Sequence, residues 1–279
     1  MTFLVTGATG SVGRHVVEHL RSAGAQVRIM TRNPGTAGFS PDVEVVRGDL
    51  GEPGTLAAAL DGVERAYLFP HDGAADFAEL AKSAGVRRIV VLSSASAAAE
   101  NKRAHNADSH TWHRAVERAV EDSGIECTAV RPGAFAGNSL IWAGAIQAGT
   151  AVRSAHGSAT QAPVHEADIA AVAATALLED GHAGAKYELS GPAAISIADQ
   201  VRTIGEAIGR DIPFEAVTAE QERAELAEFM PEDVVDMLLG YWAESVDRPD
   251  PVLPTVEQVT GRPARSFAQW AAEHTADFR

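Results

Sequence analysis

Scarcity is informative in this sequence. A single cysteine, Cys127, stands among 279 residues, so no internal disulfide can form, and its neighbours Thr128, Ala129 and Val130 predict a buried strand thiol rather than a nucleophile. Independence from disulfides suits a reducing cytoplasm. No apolar run approaches the roughly 18 residues that a membrane-spanning helix needs. The chain enters a strand at once, with no basic segment followed by an apolar one, so export is not expected. Positive charge is also short: 23 Lys and Arg face 38 Asp and Glu, a formal net charge of −15. That balance repels phosphate backbones, and no basic cluster is interleaved with aromatics, which argues against nucleic acid as a direct ligand. No set of side chains has metal-ligand spacing; His71 and Asp72 are two residues and not a site, so no metal is expected.

Glycine is placed with more purpose. The β-branched run Thr2-Phe3-Leu4-Val5-Thr6 leads into Gly7-Ala8-Thr9-Gly10-Ser11-Val12-Gly13, after which residues 14–23 read as a helix with Val16, Val17 and Leu20 on one face. Strand, glycine turn and helix in that order make a dinucleotide site, because the glycines leave room for a pyrophosphate and the helix start offers free N–H groups. Gly7, Thr9, Gly10, Ser11, Val12 and Gly13 are therefore candidate cofactor residues. The second strand, 26–30, ends at Thr31-Arg32, where a carboxylate would accept from a ribose 2′-hydroxyl. A guanidinium there pairs with a 2′-phosphate instead, which favours NADP(H) over NAD(H).

The alternation continues. Strands are expected over 43–46, 66–69, 88–92 and 126–131, with helices over 54–60, 74–84 and 108–123 and a loop over 95–104. Apolar strands separated by helix-length segments predict an α/β fold, a doubly wound parallel sheet with helices on both faces. On the helix at 108–123 the apolar stripe is Trp112, Ala115, Val116, Ala119 and Val120. Farther on come a helix over 167–178 and a strand over 186–189. A capped helix runs from Ser196 through Ile208 to Gly209, followed by a strand over 212–217. Two helices broken near Pro231, a connector over 247–251 and a helix over 266–277 complete the chain. Met230, Met237, Leu238, Leu239, Tyr241 and Trp242 crowd one stretch and either wall a pocket or pack the smaller lobe.

TGATGSVG, RGDL, VLSS, VEDSGI, TAVRPGAFAGN and PVHEADIAAV, closed by GRPARSFAQWAAEHTADF, together resemble the NmrA-like group of atypical short-chain dehydrogenases over nearly the whole chain. The resemblance implies a Rossmann-type domain binding NADP(H), over 1–150 with 163–190 returning to it, and a smaller C-terminal α+β substrate lobe over 191–279. Asp49, at the C-terminal end of its strand, is placed to contact the adenine end of a cofactor or to cap the helix that follows. Leu50, Phe69 and Ser93 at the strand ends join the cofactor set, and the resemblance adds Pro132 and Gly133 beside the nicotinamide. Phe135, Asn138 and Trp142 follow as lining of a substrate cleft, or, for the two aromatics, as core.

In the wider superfamily a Tyr supplies the proton, and a Lys four residues on lowers its pKa. Here the aligned positions hold Ser109 and His113, and the chain's three tyrosines, Tyr67, Tyr187 and Tyr241, lie elsewhere. Ser109 and His113 are thus the candidate catalytic residues, with His105 and His110 close by in sequence. A histidine of near-neutral pKa would donate a proton there. Two functions fit. One is an NADP(H)-dependent reductase of a small conjugated carbonyl, quinone or related aromatic compound, working as a monomer or homodimer. The other is a non-catalytic dinucleotide-binding sensor or regulatory protein.

Overall fold

The computed structural model describes residues 1–98 and 107–279. In chain order the first half gives β1 (Thr2–Thr6), α1 (Ser11–Ser22), β2 (Gln26–Thr31), β3 (Glu44–Arg47), α2 (Leu56–Leu60) and β4 (Val63–Leu68). Then follow α3 (Ala74–Ser83), β5 (Arg88–Leu92), α4 (Ala107–Ser123) and β6 (Glu126–Pro132). The second half gives α5 (Ala143–Gln147), β7 (Val152–Ser154), β8 (Thr160–Gln161), α6 (Glu166–Leu178), β9 (Lys186–Leu189) and β10 (Ile195–Ser196). It ends with α7 (Ile197–Ile208), β11 (Phe214–Ala216), α8 (Ala219–Leu226), α9 (Glu232–Asp247), α10 (Thr255–Thr260) and α11 (Phe267–Glu273).

Seven strands of the described residues form one sheet in the order β3-β2-β1-β4-β5-β6-β9, with every pairing parallel. Parallel neighbours require crossovers, and the crossovers cover both faces, which is why β5 is buried at all of its positions. One apolar layer joins the sheet to α1, α6 and α10 through Val16, Leu20, Ile169 and Val256. The other joins it to α2, α3 and α4 through Leu56, Phe77 and Val120. The strand order reverses between β1 and β4, and that reversal opens a crevice at the carboxyl ends of the strands.

A third apolar cluster builds the smaller lobe from residues 136–159 together with α7, α9, α11 and the closing turn. Trp270 is its centre, 0% exposed, stacked on Phe267 at 5.4 Å and His274 at 4.4 Å and edge-on to Phe278 at 6.1 Å. Leu239 and Trp242 belong to this core, Met230, Leu238 and Tyr241 are half-buried against it, and Met237 is exposed. That stretch packs the lobe.

Several boundaries differ from the sequence reading. α1 starts at Ser11 and not at residue 14, so Gly13 is helical. β4 starts at Val63, which pairs with Thr2 of β1, with the Arg65 guanidinium satisfied by the Leu177 and Leu178 carbonyls, and it stops before Phe69. On α4, Trp112 and Ala115 are exposed while Glu117 is buried. α10 forms beyond the expected connector, and the last helix is shorter, α11 giving way to a 3-10 turn over Thr275–Phe278. Of the loop expected over 95–104, Ala95–Ala97 is a 3-10 turn, while positions 99–104 and His105 lie outside the described residues. Among the described residues no helix is long and apolar enough to cross a membrane.

Replacing Trp270 by Ala removes the centre of the smaller lobe and should lower stability by about 3–5 kcal/mol, read by urea unfolding. A loss well under 1 kcal/mol would mean that α11 does not hold the lobe together.

Candidate active site

The site begins where β1 ends. Gly7 has φ +60°, which favours glycine, and its carbonyl accepts from Gly10 N–H at 3.0 Å. A Cβ at Gly13 would stand 2.2 Å from the Gly7 oxygen, so the first turn of α1 lies on the backbone of the loop and only glycine fits. Gly10 caps α1 without any side-chain hydrogen bond, and the first turn carries no acidic residue. The N–H groups at this helix start are thus uncapped by side chains, in a field that favours an anion. Thr9 and Ser11 are exposed at this start, and Val12 turns its side chain into the core. Thr6 fixes the opposite wall: its hydroxyl donates to the Tyr67 carbonyl at 3.1 Å and accepts from Phe69 N–H at 2.7 Å. Phe69, 45% exposed, packs over Gly7, where a Cβ would meet it at 2.8 Å.

The outer end of the crevice carries two exposed arginines. Arg32 follows β2, Arg47 ends β3 opposite Thr31, and both line a recess with Gly48, Asp49, Glu52 and Thr55. Among the described residues neither has a carboxylate within ion-pair distance, whereas Arg21 pairs with Asp42, and Arg28 with Glu44 at 2.9 Å. Asp49 neither caps a helix nor stands free; its carboxylate accepts from Gly51 N–H at 2.9 Å. Leu50 is buried. The sequence reading quoted Arg47 as the first residue of RGDL but gave it no role, although its place at a strand end was a usable signal.

At the other end, the exit of β5 meets the start of α4. Ser96 and Ser109 place their hydroxyl oxygens 2.9 Å apart, and His110 Nδ1–H donates to the Ser96 carbonyl at 2.7 Å. Ser96 was also missed, though it sits in VLSSAS. Trp112 donates its indole N–H to the Asp72 carboxylate and meets the His113 ring edge-on at 4.7 Å. His113 Nδ1 is buried with no hydrogen-bond partner among the described residues. Burial pushes the ring down to about 4, against the opposing pull of the Glu117 charge. The expectation of a near-neutral pKa is therefore corrected: His113 is uncharged at pH 7.

One turn beyond it, Glu117 is 0% exposed and accepts from Ser93 Oγ at 2.5 Å and from Arg131 Nε and Nη2 at 2.8 and 2.7 Å, with Arg114 as a further donor. Burial alone would raise this carboxyl, but Arg131, Ser93 and Arg114 hold it below the usual carboxylate range. The hydroxyl of Ser93 is committed to it. Apolar periodicity assigns a charged residue to solvent, which hid Glu117; the only hint was Arg131 inside an apolar strand.

Pro132, the last residue of β6, is buried, and just beyond it Gly133 N–H donates to the Leu189 carbonyl at 2.9 Å. The three residues expected to line the substrate cleft separate here. Phe135 is half-buried against the sheet core, Asn138 is exposed, and Trp142 is 8% exposed within the core of the smaller lobe. Glu166 accepts from Gly137 N–H at 2.7 Å and ties this loop to α6, while Asp168 accepts from Arg265 N–H at 2.6 Å. His71 accepts from Gly73 N–H at 3.0 Å and Asp72 is taken by Trp112. Burial pushes the half-buried Cys127 thiol up to about 12, too high for a thiolate nucleophile at neutral pH.

A family model described as NAD(P)H-binding matches residues 7–180. The chain is 39% identical to a (4-alkanoyl-5-oxo-2,5-dihydrofuran-3-yl)methyl phosphate reductase of Streptomyces griseus, over 99% of this chain and 98% of that one. It is 34% identical to an NAD(P)H azoreductase of Xenophilus azovorans, again over 99% and 98%. Among solved structures, an NADPH-dependent quinone oxidoreductase from Escherichia coli superposes with TM-score 0.81 at 27% identity, covering 97% of this chain and 98% of that one.

The lowered pKa of His113 fixes the sign of a pH dependence. The unfolded chain protonates a histidine near pH 6.5, and the folded one holds His113 at about 4. Between these values the unfolded state binds more protons, so stability is full above 6.5 and is lost as pH falls through 4. Going from pH 7 to about 4.5 should cost roughly 2–3 kcal/mol through this residue. Urea unfolding of wild type and His113→Gln at the two pH values should show the variant losing that much less; equal losses would mean that the ring titrates as if in water.

Proposed function

Since the chain belongs to the NAD(P)H-binding family, we propose that it is an NADPH-dependent reductase. It transfers a hydride to a small conjugated carbonyl, a quinone or a related aromatic acceptor, as a monomer or homodimer in a reducing cytoplasm. The observation that carries this reading is the glycine cradle: Gly13 against the Gly7 carbonyl, opening on an α1 start that no side chain caps. The names of the relatives support it from an independent side, since each acts on a conjugated or quinoid acceptor or an azo compound.

The cradle fits a pyrophosphate, held by N–H groups of residues 11–13, with Thr9 and Ser11 at the same exposed start. Arg32, free of carboxylate partners among the described residues, takes the 2′-phosphate and sets the preference for NADPH. Leu50 and Asp49 stand at the adenine end, Phe69 covers the turn, and Ser93, Pro132 and Gly133 form the nicotinamide edge. When bound, the dinucleotide supplies the hydride; the protein supplies orientation and hydrogen bonds. Ser109, paired with Ser96, offers a hydroxyl to the acceptor oxygen, and neutral His113 donates a hydrogen bond instead of serving as an imidazolium reservoir. The proton that completes reduction comes from solvent. Phe135 and Asn138 follow on the loop toward the smaller lobe; Trp142 supports that loop from within the lobe's core.

NADPH oxidation against a panel of quinones, enones and azo dyes tests the reading, with Gly13→Ala as the control. Its Cβ would collide with the turn, so turnover should fall by about 100-fold or more, the loss of roughly 3 kcal/mol of binding. Tight NADPH binding without turnover on any acceptor would favour the sensor instead. In Arg32→Ala the ratio of NADPH to NADH affinity should fall about tenfold or more, as expected for one charge-assisted contact. An unchanged ratio would remove Arg32 from the phosphate site.

A further inference from the structure

Glu117 is the most deeply buried charge near the site, and its partners come from three elements. Ser93 follows β5, Arg131 stands in β6 next to its last residue, and Arg114 belongs to α4 itself. The contacts run on: Arg114 also reaches Glu121 at 3.5 Å, and Glu121 takes Lys186 of β9 at 2.9 Å. One polar chain thus ties α4 to the carboxyl ends of β5 and β6 and to β9. A buried ion pair is a poor source of net stability compared with apolar packing, but its bidentate geometry is strict. On α4, residue 113 lies one turn and residue 109 two turns before Glu117, on the same face of the helix. Beyond that clamp, among the described residues, the helix start makes single side-chain hydrogen bonds, Ser109 to Ser96, His110 to Ser96 and Trp112 to Asp72.

We propose that Glu117 is a positioning residue of the reductase: its buried carboxylate locks α4 against the ends of β5 and β6 and thereby sets where His113 stands at the cofactor edge. The role rests on the reductase reading and makes a claim of its own, that Glu117 acts through His113.

The test is a double-mutant cycle with Glu117→Gln and His113→Ala, following kcat with a quinone and NADPH affinity by fluorescence titration. Glu117→Gln alone should lower kcat about tenfold while the NADPH Kd moves less than about threefold, and on the His113→Ala background it should lower kcat less than about twofold further. Full retained kcat, losses that add across the cycle, or a joint fall of kcat, NADPH binding and thermal stability would each overturn the proposal. Ser93→Ala removes one donor without uncovering a charge, so it serves if Glu117→Gln does not fold; a loss of about threefold with the same non-additivity is expected, and unchanged kcat overturns it. A wild type without turnover on any acceptor would sink the reductase reading, and the clamp is then read by amide hydrogen exchange. Exchange in residues 107–113 should be about tenfold faster in Glu117→Gln with β1–β5 unchanged, and equal exchange would overturn the clamp.

Discussion

The contact on which the rest depends is that of Gly13 with the carbonyl of Gly7. With a Cβ position only 2.2 Å from that oxygen, the helix α1 rests directly on the turn that precedes it. The close approach has two results at once. It brings Val16, Val17 and Leu20 down onto β1 and β2, seeding the larger apolar layer, and it leaves the helix start facing the crevice without a side-chain cap. Folding and anion binding therefore draw on the same geometry. Thr6 extends it across the strand reversal, since one hydroxyl joined to both Tyr67 and Phe69 fixes the end of β4 relative to β1.

The two ends of the crevice solve opposite electrostatic problems. At the outer end Arg32 and Arg47 are exposed and have no carboxylate within ion-pair distance among the described residues, in a chain of formal charge −15, so on the proposed reading a phosphate there has no ion pair to displace. At the inner end the charges are already neutralised, because Glu117 is enclosed by Arg131, Arg114 and Ser93. Desolvation keeps His113 neutral there in spite of that carboxylate. On the proposed reading, the unpaired charges stand where the cofactor is charged, and the rigid polar cluster where it reacts.

Much of this was legible in the sequence, for local reasons. The strand, glycine turn and helix, the parallel sheet and the bounds of α7 followed from signals carried by neighbouring residues; Ser196 accepts from Asp199 N–H at 3.0 Å and Gly209 adopts φ +69°. What escaped depended on distant partners. Gly13 reads as part of a turn until the Gly7 carbonyl is seen beneath it. Trp112 reads as core, yet it is exposed and reaches Asp72, forty residues away. Glu117 reads as a solvated face because Arg131 and Ser93 are needed to bury it. The pKa of His113 is a property of its enclosure and cannot be read from its neighbours in the chain.

The missing Tyr-Lys pair also constrains the acceptor. Reducing an isolated ketone generates an alkoxide, which is so basic that a matched proton donor must stand at the oxygen in the transition state. Reducing a quinone generates a phenolate-like oxygen, whose conjugate acid has a pKa of about 10, so hydrogen bonding with later protonation by water is sufficient. Serine hydroxyls and a neutral imidazole are donors of the second kind. Ser96, Ser109 and His113 thus match acceptors that delocalise the incoming electron pair, and they offer little to a simple alcohol–ketone couple.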